Sequence, residues 1–216
     1  VVLEPNLGTS LLLFLIGITV MFIGRSKISH LAMLGAGGIT AAILIVNRVP
    51  YMMKRIEIFL DPSKGYQINQ SIISIGSGGL LGVGLGKSTQ KYLFLPENHT
   101  DFVFSVIAEE LGLLGTTIVF VLAFIFVYRG FKIAREAPDL FGFLVASGLS
   151  SMIAYQVFIN IGVALGALPT TGMTLPFISY GGSSMLLSFV ATGILLNISK
   201  QGKFELRLSR EFGNRI

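Results

Sequence analysis

The chain contains no cysteine, only two histidines, and few charges of either sign. Without cysteine there is no disulfide framework, no thiolate metal site and no thiol nucleophile. That absence is compatible with any compartment. His30 and His99 are separated along the chain and, by the spans derived below, across a membrane, so they form no metal site together. Only 12% of residues are charged, whereas a soluble domain carries about 25%. The deficit excludes an ordinary soluble domain. No tandem repeat or low-complexity tract is present, and the chain opens Val1-Val2 with no initiating Met and no cleavable signal. It therefore reads as part of something longer. What the chain does have is apolar residues, at 52%, and 26 glycines, with a mean hydropathy of +0.78. Small residues let membrane helices approach closely. The expected class is an all-α polytopic membrane protein.

Five stretches are long enough to span, at residues 7–24, 31–46, 102–128, 140–165 and 183–198. A span needs about 20 apolar residues, with roughly 17 to 25 as the normal range. In lipid each must be helical, because unpaired backbone groups find no water there. Orientation follows from Lys and Arg. Arg25 and Lys27 follow the first span. Arg129, Lys132 and Arg135 follow the third, and Lys200, Lys203, Arg207, Arg210 and Arg215 follow the fifth. These short basic segments are expected to be cytoplasmic. The loop at 47–101 and the charge-free loop at 167–182 are then extracytoplasmic, with Val1 outside and Ile216 inside. The tail at 199–216 spaces Phe204, Leu208, Phe212 and Ile216 four apart among basic residues. It is either an amphipathic helix on the inner leaflet or an ordinary basic stop-transfer tail.

The chemistry-bearing stretch is LPENHTDF, residues 95–102. Asp101 stands at the outer end of the third span, where a carboxylate suits a general base. The alternative is helix capping, with Asn98 as N-cap and Asp101 as third helical residue. Glu97 and His99 carry the same ambiguity. Glu109 and Glu110 fall within the span itself. On a continuous helix they lie on the order of 12 Å below Asp101, with Glu110 on the opposite face. Two adjacent intramembrane acids are costly, so at least one should meet a polar cavity or a basic partner. Either an interhelical ion pair or a functional site accounts for them.

The run from Gly76 to Ser88 resembles a phosphate loop, but Leu81 stands where that motif needs glycine. Tight turns with close backbone packing are expected instead. The charge-free loop ends in Gly181-Gly182-Ser183-Ser184 at the head of the fifth span. Such a helix N-terminus suits a phosphate, or Ser183 simply caps.

These motifs, taken in order, resemble the SEDS family of bacterial cell-wall polymerases (FtsW, RodA, SpoVE). The resemblance rests on Glu4-Pro5-Asn6-Leu7-Gly8-Thr9, Arg55 with Phe59-Leu60-Asp61-Pro62, Gly65-Tyr66-Gln67, Gln70-Ser71, Ile75-Gly76-Ser77-Gly78-Gly79, LPENHTDF and GMTLPFISYGGSS at 172–184. Asn6 departs from the family's usual Asp. Pro169-Thr170-Thr171-Gly172 looks more like FtsW or SpoVE than RodA. The family fold has ten spans, and residues 1–216 resemble its second half.

The resemblance implies a peptidoglycan glycosyltransferase in the bacterial cytoplasmic membrane. It would polymerise lipid II outside that membrane and release undecaprenyl pyrophosphate, with inversion at the anomeric carbon. The implied partners are a class B penicillin-binding protein and other divisome or elongation proteins, with no nucleic acid. No cofactor is implied, and a divalent cation is left open. Asp101 matches the family's essential outer-loop acid. Arg55, Lys87 and Lys91 are candidates for the pyrophosphate by charge and position. Glu97, His99, Thr100, Ser183 and Ser184 complete the expected substrate contacts. The rival readings are a lipid II flippase, which Glu109 and Glu110 would suit, and a scaffold that recruits a transpeptidase.

Overall fold

The computed structural model describes residues 7–93 and 95–212. The elements are α1 (Leu7–Ile23), α2 (Ile28–Arg48), α3 (Pro50–Leu60), a 3-10 turn (Pro62–Lys64), α4 (Tyr66–Gly78), α5 (Gln90–Leu93), α6 (Val103–Arg135), α7 (Leu140–Ala164) and α8 (Gly182–Phe212). No strand occurs among the described residues. Four helices are long and apolar enough to cross a membrane: α2, α6, α7 and the Gly182–Gly202 part of α8. α1 is a shorter apolar helix. Their outward faces carry Phe22, Met33, Leu44, Leu113, Phe120, Phe124 and Leu196, all well exposed. Such surfaces need lipid rather than water.

α7 is the central helix and packs on α6, α1, α8 and α4. Its contact with α6 uses small residues. Ala134 and Ala146 are 1% and 0% exposed, and Gly130 faces Ser150 so closely that no side chain fits between. Close backbone approach of this kind replaces the hydrophobic effect as the source of helix association in lipid. Larger residues fill the end nearer Asp101, where Leu12, Ile68, Leu95, Phe102, Ile153 and Ile159 form the main buried cluster.

The segment at 47–101 differs from the loop expected there. α2 runs to Arg48, and α3, α4 and α5 follow. α4 docks on α6 through Ser71, Ser74 and Gly78, which share one helical face. Ser71 Oγ pairs with Ser105 Oγ at 2.6 Å and donates to the Ala164 carbonyl at 2.6 Å, while Ser74 Oγ shares its one hydrogen between the Ser105 carbonyl at 3.1 Å and the Glu109 carboxylate. The helix reaches the core as a polar strip because hydroxyls satisfy each other where water is excluded.

α6 is not continuous. Gly112 has φ 64° and ψ −160° inside it. A break there removes the two bonds that Leu113 and Leu114 would donate to the carbonyls of Glu109 and Glu110. The glycine-rich loop replaces them. Val83 and Gly84 amides donate to the Glu109 and Glu110 carbonyls at 2.9 and 3.0 Å, and Leu113 and Leu114 donate to the Gly79 and Leu80 carbonyls at 3.0 and 3.3 Å. Irregular backbone at membrane depth is tolerated only when paired in this way. Any side chain on Gly82 or Gly112 would collide with the opposing backbone. The glycines of this run thus serve close packing. Gly112 lies nine residues into α6, about 13 Å along its axis, so the loop reaches down beside the helix.

The basic segments also differ in detail. Lys132 and Arg135 lie in the last turn of α6, and the connector to α7 is only 136–139. Gly24 packs near Leu144, Gly142 near Ile198 and Gly202 against Glu136, so the basic segments after α1 and α6 and the Lys200 region of α8 share one end of the bundle. Glu4 to Asn6, Phe212's side chain and Ile216 lie outside the described residues or side chains, as do those of Phe204 and Leu208.

Candidate functional site

Asp101 is positioned by a turn, not by a helix. Glu97 adopts φ 53°, the left-handed region uncommon for a non-glycine residue. Its carbonyl then accepts from the amides of Thr100, Asp101 and Phe102 at 3.3, 3.1 and 3.3 Å. α6 begins only at Val103, after Phe102, and no side chain caps it. The capping arrangement expected for Asn98 and Asp101 is therefore absent: the Asn98 amide donates instead to the Lys91 carbonyl. The Asp101 carboxylate makes no hydrogen bond or ion pair among the described residues. Burial pushes it above the ordinary carboxylate range, Glu97 pushes it further, and the Arg55 guanidinium opposes both. A carboxylate that is costly to keep ionised and has no fixed proton donor is suited to accept a proton.

The loop after α7 forms the other wall. Gly172, at φ 69°, lies against Asp101, with Oδ2 3.6 Å from where its Cβ would be. Gly8 of α1 presses on Thr171 and Met173 behind it. Arg55 of α3 donates to the Thr170 carbonyl at 2.6 Å, bonds the Tyr51 hydroxyl and sits 4.6 Å from the Tyr51 ring centroid. α3 thereby brings a guanidinium to the loop that flanks Asp101.

Next to these groups is an open groove of about 660 Å³ lined by His99, Val103, Ile178, Ser179, Tyr180, Gly181, Gly182 and Met185. It runs along the head of α8. Ser184 pairs with Thr174 through their hydroxyls at 2.7 Å, and Ser183 is exposed in the first turn. Glu97 and His99 are exposed, and the Thr100 hydroxyl donates to the Glu97 carboxylate at 2.9 Å. Asp101, Arg55, Glu97, His99, Thr100, Ser183 and Ser184 thus belong to one end of the bundle, the end opposite the basic connectors.

Lys91 joins the Asp101 turn through its backbone, but its ammonium turns to a partner inside the bundle. Lys91 Nζ bonds Glu110 Oε1 at 2.6 Å, with side-chain exposures of 16% and 11%. Glu109, 2% exposed, accepts from Ser74 Oγ at 3.0 Å, Ser88 Oγ at 2.5 Å, and the Thr89 amide and hydroxyl at 3.0 and 3.2 Å. Both intramembrane acids therefore have internal partners from the 74–91 segment. Their expected angular positions relative to Asp101 assumed that it belongs to the same helix, but α6 begins only at Val103 and Asp101 lies in the turn before it. Lys87 is exposed beside Gly84 in the same loop.

Sequence reasoning missed Asn160 and Ser179, which are 1% and 3% exposed. Asn160 donates to the Asp101 and Met173 carbonyls at 2.8 and 2.7 Å, and Ser179 Oγ donates to the Thr100 carbonyl at 2.6 Å. The available signal for Asn160 was an amide side chain, with Gln156 four residues before it, in a charge-free span.

An apolar helical bundle with a conditioned carboxylate, a guanidinium and a groove at one end defines a polytopic membrane protein with a polar site at the head of its helices. The sequence model for FtsW, RodA and SpoVE, described as a cell cycle protein, matches residues 1–204. The chain belongs to this SEDS family. It is 45% identical over 206 residues to stage V sporulation protein E of Bacillus subtilis, covering 93% of this chain and 56% of that protein. It is 44% identical over 224 residues to a probable peptidoglycan glycosyltransferase FtsW of Thioalkalivibrio sulfidiphilus, covering 99% and 56%. Among solved structures, one described as the structural coordination of polymerization and crosslinking by a peptidoglycan synthase complex matches with TM-score 0.73 and 32% identity, over 93% of this chain and 57% of that one. The rod shape determining protein RodA of Thermus thermophilus matches with TM-score 0.60 and 31% identity, over 92% and 50%. The chain spans about half the length of the curated relatives it matches.

Proposed function

We propose that this chain carries the catalytic outer face of a peptidoglycan glycosyltransferase that polymerises lipid II. The observation that carries this reading is Asp101, a half-buried carboxylate without a hydrogen-bond partner among the described residues, set against Gly172 and influenced by Arg55. Asp101 takes the proton from the 4-hydroxyl of one lipid II as that oxygen attacks the anomeric carbon of the growing chain. The C–O bond to the pyrophosphate breaks, and undecaprenyl pyrophosphate leaves with the electron pair. Arg55 is the guanidinium best placed to meet the departing pyrophosphate. The groove at the head of α8, lined by His99 and Gly182 with Ser183 next in the chain, receives the lipid-proximal part of the substrate. The names and descriptions of the relatives support both this activity and a partner that cross-links the product, for which a class B penicillin-binding protein is the natural class.

The site end of the bundle is extracytoplasmic in this reading and the basic end cytoplasmic. Single cysteines replacing Lys64 or Asn98 should react with an impermeant reagent in whole cells, whereas Lys132→Cys and Arg210→Cys should not. Labelling in the reverse pattern overturns the orientation.

Transport of lipid II drew its support from Glu109 and Glu110. Their engagement with Ser74, Ser88, Thr89 and Lys91 removes that support. Incubating the purified full-length protein with labelled lipid II and no other polymerase separates the readings. Glycan strands of increasing length are expected. Lipid II crossing vesicle bilayers with no strand formed would contradict the proposal.

A further inference from the structure

The short segment that carries Asp101 is held by its own backbone carbonyls. His99 O accepts from the Tyr180 amide at 2.8 Å, Thr100 O from Ser179 Oγ at 2.6 Å, and Asp101 O from Asn160 Nδ2 at 2.8 Å. Three consecutive carbonyls thus meet three donors from α7 and the loop that follows it. The two side-chain donors are buried and each reaches further into that loop. Asn160 gives its second amide bond to Met173 O at 2.7 Å, and Ser179 Oγ accepts from the Leu175 amide at 2.7 Å. Each therefore ties the Asp101 turn to the 172–179 loop through one side chain. Asn160 Oδ1 is buried and has no hydrogen-bond partner among the described residues. Its amide hydrogens, not its oxygen, set its orientation. Because the Asp101 carboxylate has no side-chain partner of its own, this backbone anchoring is what fixes its distance from Gly172.

We propose that Asn160 and Ser179 are positioning residues for glycosyl transfer: they clamp the Asp101 turn to the 172–179 loop and hold the base in register with the groove between them. The inference rests on Asp101 acting as the base. Asn160 lies outside the groove, and Ser179, which lines it, spends its hydroxyl on the Thr100 carbonyl and the Leu175 amide, so the clamp acts on turnover more than on affinity. A displacement of about 1 Å at a reacting group costs on the order of 10²-fold in rate. The groups that face the carboxylate are Glu97 from its own turn and Arg55 from α3, and burial is the largest influence on it. A loosened turn admits water and moves the carboxyl back toward its ordinary range.

The test compares Asn160→Leu, which keeps the volume and removes both donors, with Ser179→Ala, which removes a different member. Asp101→Asn and the unmodified full-length protein serve as references, all assayed on lipid II across pH. The clamp predicts kcat lowered by about ten- to a hundredfold, KM within about twofold, and the acid limb of the kcat/KM profile moved to lower pH. A stability role alone predicts a lower melting temperature with kcat and the acid limb unchanged, and that result overturns the proposal. If Asn160→Leu fails to fold, Ser179→Ala decides by the same criteria. Wild-type turnover in both variants beside an inactive Asp101→Asn refutes the clamp and leaves the base intact. Wild-type turnover in Asp101→Asn refutes the base, and the clamp with it.

Discussion

Asp101 and Glu109 are carboxylates eight residues apart in one chain, yet their surroundings are opposite. Glu109 is 2% exposed and receives hydrogen bonds from three side-chain hydroxyls and the Thr89 amide. Glu110 beside it is closed by Lys91. Asp101 is only half buried, and no donor among the described residues fixes its oxygens. Burial raises its proton affinity, and Arg55 only partly opposes that. A buried acid with every oxygen satisfied is a structural device, since removing a partner costs more than the bond contributes. An acid held by its backbone alone, with its oxygens uncommitted, is available for chemistry. The lower cluster joins the 74–91 segment to the broken α6.

The comparison can be broken from the lower side first. Lys91→Ala leaves Glu110 mostly buried without its counter-ion, which costs about 3–5 kcal/mol when the partner is lost. The melting temperature in detergent should drop sharply, and adding Glu110→Ala should recover much of the loss. A Lys91→Ala protein of normal stability and poor lipid II affinity would instead make Lys91 a substrate ligand. Glu109→Gln is a milder change. It turns an amide donor toward donors such as Ser88 and Thr89, at a cost of about 1–3 kcal/mol. The surviving folded protein should polymerise at a rate close to wild type, and an inactive but stable Glu109→Gln would move chemistry into the span. Arg55→Ala sharpens the upper side. It should raise KM for lipid II by about tenfold, the equivalent of one charge-assisted bond to phosphate, with a smaller change in kcat. Unchanged KM would return Arg55 to a purely structural role at the Thr170 carbonyl.

The sign of the Asp101 effect gives a stability test as well. Its folded-state pKa lies above the unfolded value, so its contribution to stability is fully present below the unfolded pKa, about 3.9. That contribution is lost as pH rises through the folded value. At neutral pH the ionised carboxylate is carried at a cost. Asp101→Asn removes it and should leave the melting temperature equal to or above that of wild type, the reverse of Glu109→Gln.

Much of this arrangement was legible in the chain. α1, α2 and α7 follow from apolar length, and α7 at Leu140–Ala164 differs from its expected range by one residue. LPENHTDF marked Asp101 as either a base or a helix cap, since acids at a span edge are costly without a purpose, and the family resemblance, not the pattern, favoured the base. The break in α6 was not legible. Gly112 is one glycine among 26, and the loop that replaces its lost bonds lies about thirty residues earlier in the chain. Lys91 looked like an outer-loop cation because its partner, Glu110, lies inside a span and the pairing has no local pattern. α3 and α4 were read as loop, since the polar face of α4 is satisfied by Ser105 and Ala164, contacts that no local pattern announces.

The central claim is that Asp101 supplies chemistry and not structure. The most direct measurement is lipid II polymerisation by full-length Asp101→Asn, paired with its melting temperature. General base catalysis is worth about 10²–10⁴-fold. The account predicts a loss of that size in a protein that melts no lower than wild type. Wild-type strand synthesis in this variant, or a lowered melting temperature that accounts for its lost activity, would contradict it.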